Sequence, residues 1–524
     1  MERASGVVLH ISSLPSQFGI GSFGASAYEF VDFLVATKQQ YWQILPLTTT
    51  SFGDSPYQSF SAFAGNTHFI DFDLLAKQGY LDKTDYQGVN FGNNPKKVAY
   101  NILFKNRRPI LEKAVANFVS TNAYSNPEFI QFYEENSFWL IPFAQYMTVK
   151  EENGQNPWYE WPTNLRNYDE AVVNQFCEAH IERYDYHLVT QFWFNQQYKA
   201  LKEYANDNHI EIIGDIPIYV ARDSVEMWTQ PELFLTDEKN NPSLVAGVPP
   251  DFYSADGQYW GNPIYDWDYM EETDYAWWIL RMKESFKLYD VVRIDHFRGF
   301  ESYWAVPFGS PTAASGSWQK GPGNKIFDQF KKELGDIKVI AEDLGFMTQA
   351  VNDMRDQTGY PGMKVLQNGF YGQDSEDLPH HYPVNSVAYA STHDSMQAYD
   401  WYMNQASQAD RDQADQYLNR GVGEHPSDAF VRGIAASPSR LAIYMMNDLL
   451  RLGPEGRINI PSTIGGNWDW RVRQEDFTVD LEERLLSITE TYFRVNQAFI
   501  SQDDQNNGIN SIAAEAAFLP EDND

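Results

Sequence analysis

Short runs of apolar residues recur along the chain, separated by longer stretches in which the apolar positions follow a helical spacing. Eight of the runs have the length, the β-branched or aromatic content and the flanking turn residues of β-strands. The eight predicted strands are residues 7–11, 41–45, 210–215, 290–295, 339–343, 363–366, 387–392 and 457–460. The first six or seven are nearly continuously apolar, as expected of parallel strands buried on both faces.

Helical patterns lie between several of these runs, for example over residues 25–37 after the first and over residues 325–334 before the fifth. Alternation of strand and helix indicates a parallel sheet, and eight such units make a (β/α)8 barrel, the TIM-barrel fold of the α/β class. We therefore predict a single barrel domain over residues 1–524, ending in an acidic tail at residues 519–524.

The chain is much longer than a bare barrel, which needs about 250 residues. Two gaps between predicted strands hold most of the excess. Residues 46–209 follow the second strand and are largely helical and rich in Trp and Tyr, and residues 216–289 follow the third strand and include a loop rich in Gly and Pro. Because each gap follows a strand, both are predicted to be mainly helical insertions on the catalytic face, where they wall in a long cleft.

The charge and composition of the chain limit the kinds of ligand that it is expected to bind. With 72 acidic and 39 basic residues the formal net charge is −33, which disfavours nucleic acid and anionic membranes, because both are bound by clustered Lys and Arg. A neutral partner is favoured, and the 32 Tyr and 15 Trp offer flat faces on which sugar rings pack. The lone Cys177 excludes an internal disulfide, and no signal-peptide pattern or apolar membrane span is present, so we expect a cytoplasmic protein.

Three predicted strands deliver a carboxylate to the same end of the barrel. Asp295 ends the fourth strand, Glu342 lies near the end of the fifth, and Asp394 comes just after the seventh. All strands of such a barrel open onto one face, so the three acids are expected to meet there. Two carboxylates acting across one bond, with a third nearby, are the groups that glycoside cleavage uses.

The neighbours of the three acids suggest different roles. Arg293 lies two residues before Asp295, so both side chains point to the same side of the strand, and the guanidinium stabilises the ionised carboxylate that a nucleophile needs. Glu342 must instead carry a proton to a leaving oxygen, which requires a less polar setting and a raised pKa. Asp394, beside His393, is placed to bind the hydroxyl groups of a distorted sugar.

Other polar groups are interpreted as structural. Asp343 points to the opposite side of the strand from Glu342 and is expected to be a helix cap or structural partner. His380 and His381 are expected to be loop residues rather than metal ligands, because no cysteines or spaced acids accompany them. No metal is therefore predicted.

One glycine pattern imitates a nucleotide-binding fingerprint. Gly19, Gly21 and Gly24 match G-x-G-x-x-G between a strand and a helix. A dinucleotide site also needs an acidic residue about 20 residues further on, at the end of the second strand, and residues 39–45 contain none. We interpret the pattern as a tight glycine loop.

Longer stretches of the sequence carry a family resemblance. They are residues 14–16 (LPS), 19–21 (GIG), 54–66 (DSPYQSFSAFAGN), 214–220 (GDIPIYV), 248–251 (VPPD), 257–263 (GQYWGNP), 293–299 (RIDHFRG), 341–345 (AEDLG), 392–394 (THD) and 466–468 (GNW). With these stretches the chain resembles, over nearly its whole length, the amylomaltases, the 4-α-glucanotransferases of glycoside hydrolase family 77 and relatives of the α-amylases.

The resemblance implies a role for each of ten residues. It implies Asp295 as nucleophile, Glu342 as general acid/base and Asp394 as a third acid that stabilises the transition state. The residues that it implies as substrate contacts are Tyr57, Asp215, Arg293, His296 and His393 at the donor sugar, Trp260 with the Gly257 loop on the acceptor side, and Asn467 as a further glucan contact. It also implies a β-glucosyl-enzyme intermediate, retention of configuration, two catalytic carboxyls about 5–5.5 Å apart and no cofactor.

The chain departs from the family pattern near the third acid. Asp394 is followed by Ser395-Met396-Gln397 where the family continues Asn-Asp-Thr, Ser391 stands where glycine is common, and residues 459–463 (NIPST) replace a usual Pro-Gly pair. The three acids themselves are intact.

Three functions are compatible with these residues. The first is a transferase that passes an α-1,4-glucan segment to another glucan, the second a hydrolase with the same acids and a wetter acceptor site, and the third a non-catalytic glucan-binding protein. The family motifs favour the transferase, with α-1,4-glucans as donors and glucose or maltooligosaccharides as acceptors.

Overall fold

Twelve strands are present in the part of the chain that the computed structural model describes, which is residues 2–500 except 52, 122, 251–253 and 372–373. The acidic tail predicted at residues 519–524 lies outside the described residues. The strands are β1 Ala4–Val8, β2 Tyr41–Gln43, β3 Glu211–Ile216, β4 Leu244–Val248, β5 Gln258–Pro263, β6 Val291–Ile294, β7 Ser302–Pro307, β8 Ser317–Lys320, β9 Val339–Ala341, β10 Gly362–Val365, β11 Ser386–Tyr389 and β12 Leu441–Met445.

Eight of these strands close into a parallel barrel. Their order is β1-β12-β11-β10-β9-β6-β3-β2, and β1 is hydrogen-bonded to β2 to complete the ring. A separate cluster of buried side chains fills the interior, among them Val8, Ile213, Val291, Ile340 and Val387. The predicted (β/α)8 fold of the α/β class is confirmed, and the barrel holds a packed core below its catalytic rim.

The predicted eighth strand is wrong. Residues 457–460 form no strand, and the barrel is closed instead by β12, which pairs with β1 and β11. All five residues of β12 are buried, as a parallel strand covered on both faces requires. Residues 457–460 alternate polar and apolar side chains and lie over the loop that follows β11, where Asn459 N donates to His393 O (3.1 Å).

The helices within the described residues lie mainly between the barrel strands. They are α1 Ala25–Ala36, α2 Phe72–Lys77, α3 Tyr100–Ser120, α4 Pro127–Glu152, α5 Thr163–Arg166, α6 Glu170–Ala179, α7 Ile181–Asp207, α8 Val225–Thr229, α9 Trp267–Glu272, α10 Ala276–Leu288, α11 Asn324–Leu334, α12 Gln349–Thr358, α13 Ala398–Asp400, α14 Gln408–Tyr417, α15 Pro426–Ala436, α16 Met446–Leu449 and α17 Val479–Thr491. None of them, in the described ranges, combines the length and the apolarity needed to cross a bilayer.

Six helices, α2 to α7, lie between β2 and β3. The longest, α7, is buried along ten consecutive residues from Asp185 to Phe194, because it is covered on several sides rather than on one amphipathic face. Its Gln191 side chain donates to Gly65 O and accepts from Gly65 N, both at 2.8 Å. This pair ties the helical segment to the chain that follows β2, next to the rim of the barrel.

A second, antiparallel sheet lies at the same end of the barrel. Its order is β5-β4-β7-β8, with two strands from between β3 and β6 and two from between β6 and β9. Tyr303 and Ala305 join one face to the main core, whereas Val245 and Val306 form a small cluster on the other. This sheet has no clear signature in the sequence, because β5 contains Gly and Pro and every residue of β8 is exposed.

A buried arginine closes the opposite end of the barrel, where β1 and β12 begin. Arg494 is fully buried, and burial lowers its pKa to about 10. Its guanidinium donates, at 2.7–3.3 Å, to the carbonyl oxygens of Ala4, Ile434, Ala435, Ser437, Ser439 and Arg440. One side chain thus satisfies the carbonyls of three segments that meet there.

We expect Arg494→Met to destabilise the protein by about 3 kcal/mol or more, because several buried carbonyls lose their donor at once. Urea unfolding measures the change. Arg183→Met is the matched control: Arg183 is 44% exposed and pairs with Glu151 and Glu152, and loss of such a surface pair costs about 0–1 kcal/mol. Equal losses in both variants would contradict the role assigned to Arg494.

Candidate active site

The acids predicted from the sequence lie at the C-terminal rim of the barrel. Asp295 directly follows β6, and Glu342 directly follows β9, the neighbour of β6. Backbone hydrogen bonds fix both positions, since Asp295 N donates to Ile216 O (3.0 Å) and Glu342 N to Ile294 O (3.1 Å). Asp394 lies five residues beyond the end of β11. Each acid is therefore anchored by the strand that precedes it.

A buried arginine joins two carboxylates in the mouth of the barrel. Strands β3 and β6 pair so that Asp215 lies beside Arg293. Arg293 Nη1 is 2.6 Å from Asp215 Oδ2 and 3.0 Å from Asp295 Oδ1. The side chains of Arg293 and Asp215 are 4% and 0% exposed, whereas that of Asp295 is 31% exposed. The predicted placement of Arg293 beside Asp295 is confirmed, and Asp295 is the one of the three whose side chain is exposed to solvent.

The pKa values of the two buried partners reflect this contact. Burial raises the pKa of Asp215 to about 6, the charge of Asp295 adds to the shift and that of Arg293 opposes it. Burial alone would lower the pKa of Arg293, but the charges of Asp215 and Asp295 outweigh it and hold that pKa well above its ordinary value. The Asp215 side chain is fully buried: its Oδ2 is bound by Arg293 and Tyr57, whereas its Oδ1 has no hydrogen-bond partner among the described residues.

Glu342 has the properties of a proton donor. Burial raises its pKa to about 8, and the negative charge of Asp295 adds to the shift. Its Oε2 accepts from His296 N (2.8 Å) and its Oε1 from Leu344 N (3.1 Å). A carboxyl that holds its proton near neutral pH therefore lies next to one that is paired with arginine, two clearly different environments. The raised pKa required by the sequence analysis is present.

Asp394 is held by two neighbours, one of which the sequence analysis missed. Its Oδ2 lies 3.3 Å from His393 Nε2, and its Oδ1 accepts from Asn459 Nδ2 (2.6 Å). The surrounding protein alone would raise the pKa of Asp394, but the charge and hydrogen bond of His393 and the Asn459 amide hold that pKa well below its ordinary value. Asn459 belongs to the segment that was assigned to the eighth strand, so its proximity to Asp394 was not foreseen.

Tyr57 connects the two groups of acids. Its hydroxyl donates to Asp215 Oδ2 (2.8 Å) and lies 3.1 Å from His393 Nε2. The Tyr57 ring stacks on the His393 ring, with centroids 5.4 Å apart and planes at 12°, and Trp468 lies 5.8 Å away. The structure thus brings Tyr57, Asp215 and His393 together as the sequence analysis expected, and adds Trp468 as an aromatic neighbour.

His296 and Trp260 lie on the other side of Glu342. His296 has a left-handed backbone, with φ of 51°, and this turn directs its N–H at the Glu342 carboxyl. Burial lowers the pKa of His296 to about 3, helped by the charge of Arg298, so the ring is neutral. The half-buried Trp260 meets that ring edge-on at 4.8 Å. Both residues therefore lie at the site.

The Asn467 side chain, unlike those of the other candidate residues, is bound to groups of its own loop. It is 7% exposed, its Oδ1 accepts from Ile460 N (3.0 Å) and its Nδ2 donates to Thr463 O and Oγ1 (3.2 and 3.0 Å). The amide therefore holds the 460–467 loop together. That loop joins Asn459 to Trp468, so Asn467 contacts the site through its neighbours.

The groups interpreted as structural are placed as follows. Asp343 pairs with Arg355 of α12 and accepts from Met363 N (2.7 Å), which confirms it as a structural partner. His380 and His381 lie in an exposed 3-10 turn, Pro379–His381. Asp374, which the sequence analysis did not connect with them, lies 2.6 Å from His381 Nε2.

The glycine pattern of residues 19–24 has a packing explanation. An added Cβ would lie 2.1 Å from Phe91 O at Gly19, 1.7 Å from Ile11 O at Gly21 and 2.0 Å from an Asp71 carboxylate oxygen at Gly24. The carboxylate of Asp71 lies close to the N-terminus of α1, where a nucleotide phosphate would otherwise bind. The loop is a close-packed turn, as predicted.

Comparisons with known proteins agree over most of the chain. The sequence model of the 4-alpha-glucanotransferase family matches residues 9–476. The 4-alpha-glucanotransferase of Streptococcus pneumoniae is 52% identical over 501 residues, 95% of this chain and 99% of that one. The enzyme of the same name from Clostridium butyricum is 44% identical over 488 residues, 93% of this chain and 100% of that one. The structure of amylomaltase from Streptococcus agalactiae in complex with acarbose has a TM-score of 0.92 and 47% identity, and the match covers 94% of this chain and 100% of that one.

The fold and the acids at its rim define a carbohydrate-active barrel enzyme, a class in which strand-end carboxylates act on glycosidic bonds. Within that class, the chain belongs to glycoside hydrolase family 77, the 4-alpha-glucanotransferases. Its enzymatic activity is the 4-alpha-glucanotransferase activity that the sequence resemblance implied.

The raised pKa of Glu342 predicts how stability depends on pH. The carboxyl titrates near 4.5 in the unfolded chain and near 8 in the folded protein, so between these values the folded state binds the extra proton. The unfolding free energy should therefore fall as the pH rises through this window, relative to Glu342→Gln, which has no titrating group there. Urea unfolding of both proteins at several pH values measures the difference. A difference that does not vary with pH would refute the raised pKa.

Proposed function

We propose that Asp295 and Glu342 carry out the transfer as nucleophile and acid/base, with retention of configuration. The observation that carries this assignment is their contrast: Arg293 contacts the carboxylate of Asp295 at 3.0 Å, whereas the pKa of Glu342 is raised to about 8. Two carboxyl groups with such different environments are what a double displacement needs.

In the first half of the reaction Glu342 donates its proton to the glycosidic oxygen of an α-1,4-glucan. Asp295 attacks the anomeric carbon, the C–O bond to the leaving chain breaks, and a β-linked glucanosyl ester forms on Asp295. The leaving chain departs with a free 4-hydroxyl group. Arg293 stays beside the carboxylate throughout and fixes the direction of its attack.

In the second half Glu342 is a carboxylate and takes the proton from the 4-hydroxyl of an acceptor sugar. The acceptor oxygen attacks the anomeric carbon, the ester bond to Asp295 breaks, and an α-1,4 bond forms with both carboxyls restored. Transfer to glucan rather than to water requires an acceptor held over the ester. The half-buried Trp260 ring beside His296 is placed to stack on that acceptor.

Asp394, held by His393 and Asn459, acts on the donor sugar. Asp394 is 49% exposed and, with its pKa held low by His393 and Asn459, offers a negative charge to the positive charge that develops on the sugar ring. We assign Tyr57, His393, His296 and Arg293 to the donor sugar as well. We assign Asp215 to the donor sugar too, because its Oδ2 is held by Arg293 while its buried Oδ1 has no hydrogen-bond partner among the described residues. Asn467 supports these contacts through the 460–467 loop that its amide holds.

The substrates that this site fits are neutral α-1,4-glucans, with glucose or maltooligosaccharides as acceptors, and no cofactor. The amylomaltase of Streptococcus agalactiae was solved with acarbose, which supports binding of a glucan-like ligand. Residues 46–209 and 216–289 form the walls of the cleft within one barrel domain. The net charge of −33 speaks against nucleic acid and membrane partners, and the lone buried Cys177 suits the cytoplasm.

Incubation with maltotriose tests the proposal. The parent enzyme should form glucose and longer maltooligosaccharides with no net gain in reducing ends, because each cleavage is balanced by a transfer. Asp295→Asn should lose essentially all of this activity, since an amide cannot form the ester. Chromatography of the products together with a reducing-end assay measures both outcomes.

Two results would overturn the assignment. A net rise in reducing ends would show a hydrolase with the same acids. Full activity in Asp295→Asn would show that the nucleophile lies elsewhere, provided that urea unfolding finds the variant as stable as the parent.

The hydrogen bond from Asn459 should lower the pKa of Asp394 and support its role in turnover. Asn459→Ala removes a hydrogen bond to a charged carboxylate, so the pKa of Asp394 should rise. At neutral pH Asp394 stays ionised but is less firmly oriented, and turnover there should fall about tenfold. The acid limb of the pH–rate profile should move to higher pH, since Asp394 must be ionised to act. Asn385→Ala, at an exposed amide that donates to Gly359 O, is the control. An unchanged acid limb would mean that Asn459 does not act through Asp394.

A further inference from the structure

Two aromatic rings lie exposed beside the active site. The side chains of Phe346 and Trp318 are 68% and 39% exposed, and their rings stack with centroids 6.3 Å apart and planes at 23°. We call this pair the outer platform. Single exposed apolar residues are common on protein surfaces, whereas contiguous exposed apolar surface is typical of binding sites.

A buried arginine holds the outer platform in place. Arg298 is 4% exposed, and its guanidinium lies 4.1 Å from the centroid of the Trp318 ring. The same guanidinium donates to Phe346 O and to Ser302 Oγ (2.9 Å). One charged group therefore fixes both members of the pair, so that a ligand would find the rings already ordered.

The antiparallel sheet supports the platform from the other side. Trp318 of β8 pairs with Trp304 of β7, and Trp304 pairs with Gly247 of β4. Paired residues of neighbouring strands lie on the same face. The Trp304 ring meets the Trp318 ring edge-on at 5.4 Å, and its indole N–H donates to Ala313 O (2.8 Å). Trp318 is thus packed on one side and open on another.

The outer platform is continuous with the candidate active site. Phe346 comes four residues after Glu342, a span of at most about 14 Å along the chain, and Leu344 between them donates its N–H to the Glu342 carboxyl. Arg298 comes two residues after His296, whose N–H is bound to the same carboxyl. A chain that leaves the site past Glu342 therefore has the platform within reach.

We propose that the outer platform is a binding site for the distal sugars of a long α-1,4-glucan whose other end occupies the active site. This inference rests on the proposed function. Flat aromatic faces suit the C–H faces of glucose rings, and the strongly acidic surface disfavours anionic ligands. Maltotriose has only three rings to share between the two places, whereas amylose has enough to fill both.

The test compares chain lengths. The ratio of kcat/KM for amylose to that for maltotriose should fall roughly five- to tenfold in Phe346→Ala and in Trp318→Ala, the effect expected from one lost stacking contact. Phe346→Trp, which keeps an aromatic face, should preserve the ratio. The matched control is Phe493→Ala: Phe493 is 82% exposed and precedes Arg494, at the opposite end of the barrel.

Binding is measured separately from turnover. Migration in native gels containing amylose should be retarded for the parent and for the inactive Glu342→Gln, and less so when Phe346→Ala is added to either. A parent that is retarded by amylose in a way that depends on Phe346, and yet fails to disproportionate maltotriose, would contradict the proposed function. That result would still support glucan binding at the outer platform.

Three results would overturn the platform itself. The first is an equal loss of kcat/KM on amylose and maltotriose, and the second is no change in either. The third is a shift in oligomeric state on size exclusion, which would identify the rings as a contact between copies of the chain.

Discussion

The buried guanidinium of Arg293 is the interaction on which the active site depends. It contacts Asp215 and Asp295 at once, and a buried charge of this kind is tolerated only when fixed partners compensate its desolvation. Pairing of strands β3 and β6 holds Asp215 in a fixed position beside Arg293. Because Asp295 then lies beside a cation while Glu342 is buried next to a negative charge, two chemically similar carboxyls lie in opposite electrostatic environments.

The same contact begins a continuous network across the rim of the barrel. Each member touches the next by a hydrogen bond or ion pair of 2.6–3.3 Å, in the order Asp295, Arg293, Asp215, Tyr57, His393, Asp394, Asn459. Networks of this kind hold each group in one orientation, and the loss of any member is felt by its neighbours. One network that contains the buried charge of Arg293 therefore positions both Asp394 and Asp295.

Much of this could be predicted from residues close together in sequence. Seven of the eight barrel strands overlap the predicted ones, because strand length and apolar content are local properties. Arg293 and Asp295 were placed together by simple alternation along one strand. The eighth strand was missed because the apolar run of β12 continues without a break into α16, Met446–Leu449, and a short apolar run of this kind does not by itself distinguish strand from helix. The small sheet was missed because its short strands carry Gly, Pro and exposed polar residues.

The sequence by itself determined the barrel, the three acids and the family, since these follow from short patterns and from stretches matched over the whole chain. Only the tertiary structure decided that Asn459 binds Asp394, that Asp215 pairs with Arg293, and that Phe346 and Trp318 stack in the open. The physical reason is range: these contacts join residues up to 78 positions apart. Desolvation, which sets the pKa of Glu342, likewise depends on every segment packed around it rather than on its neighbours in the chain.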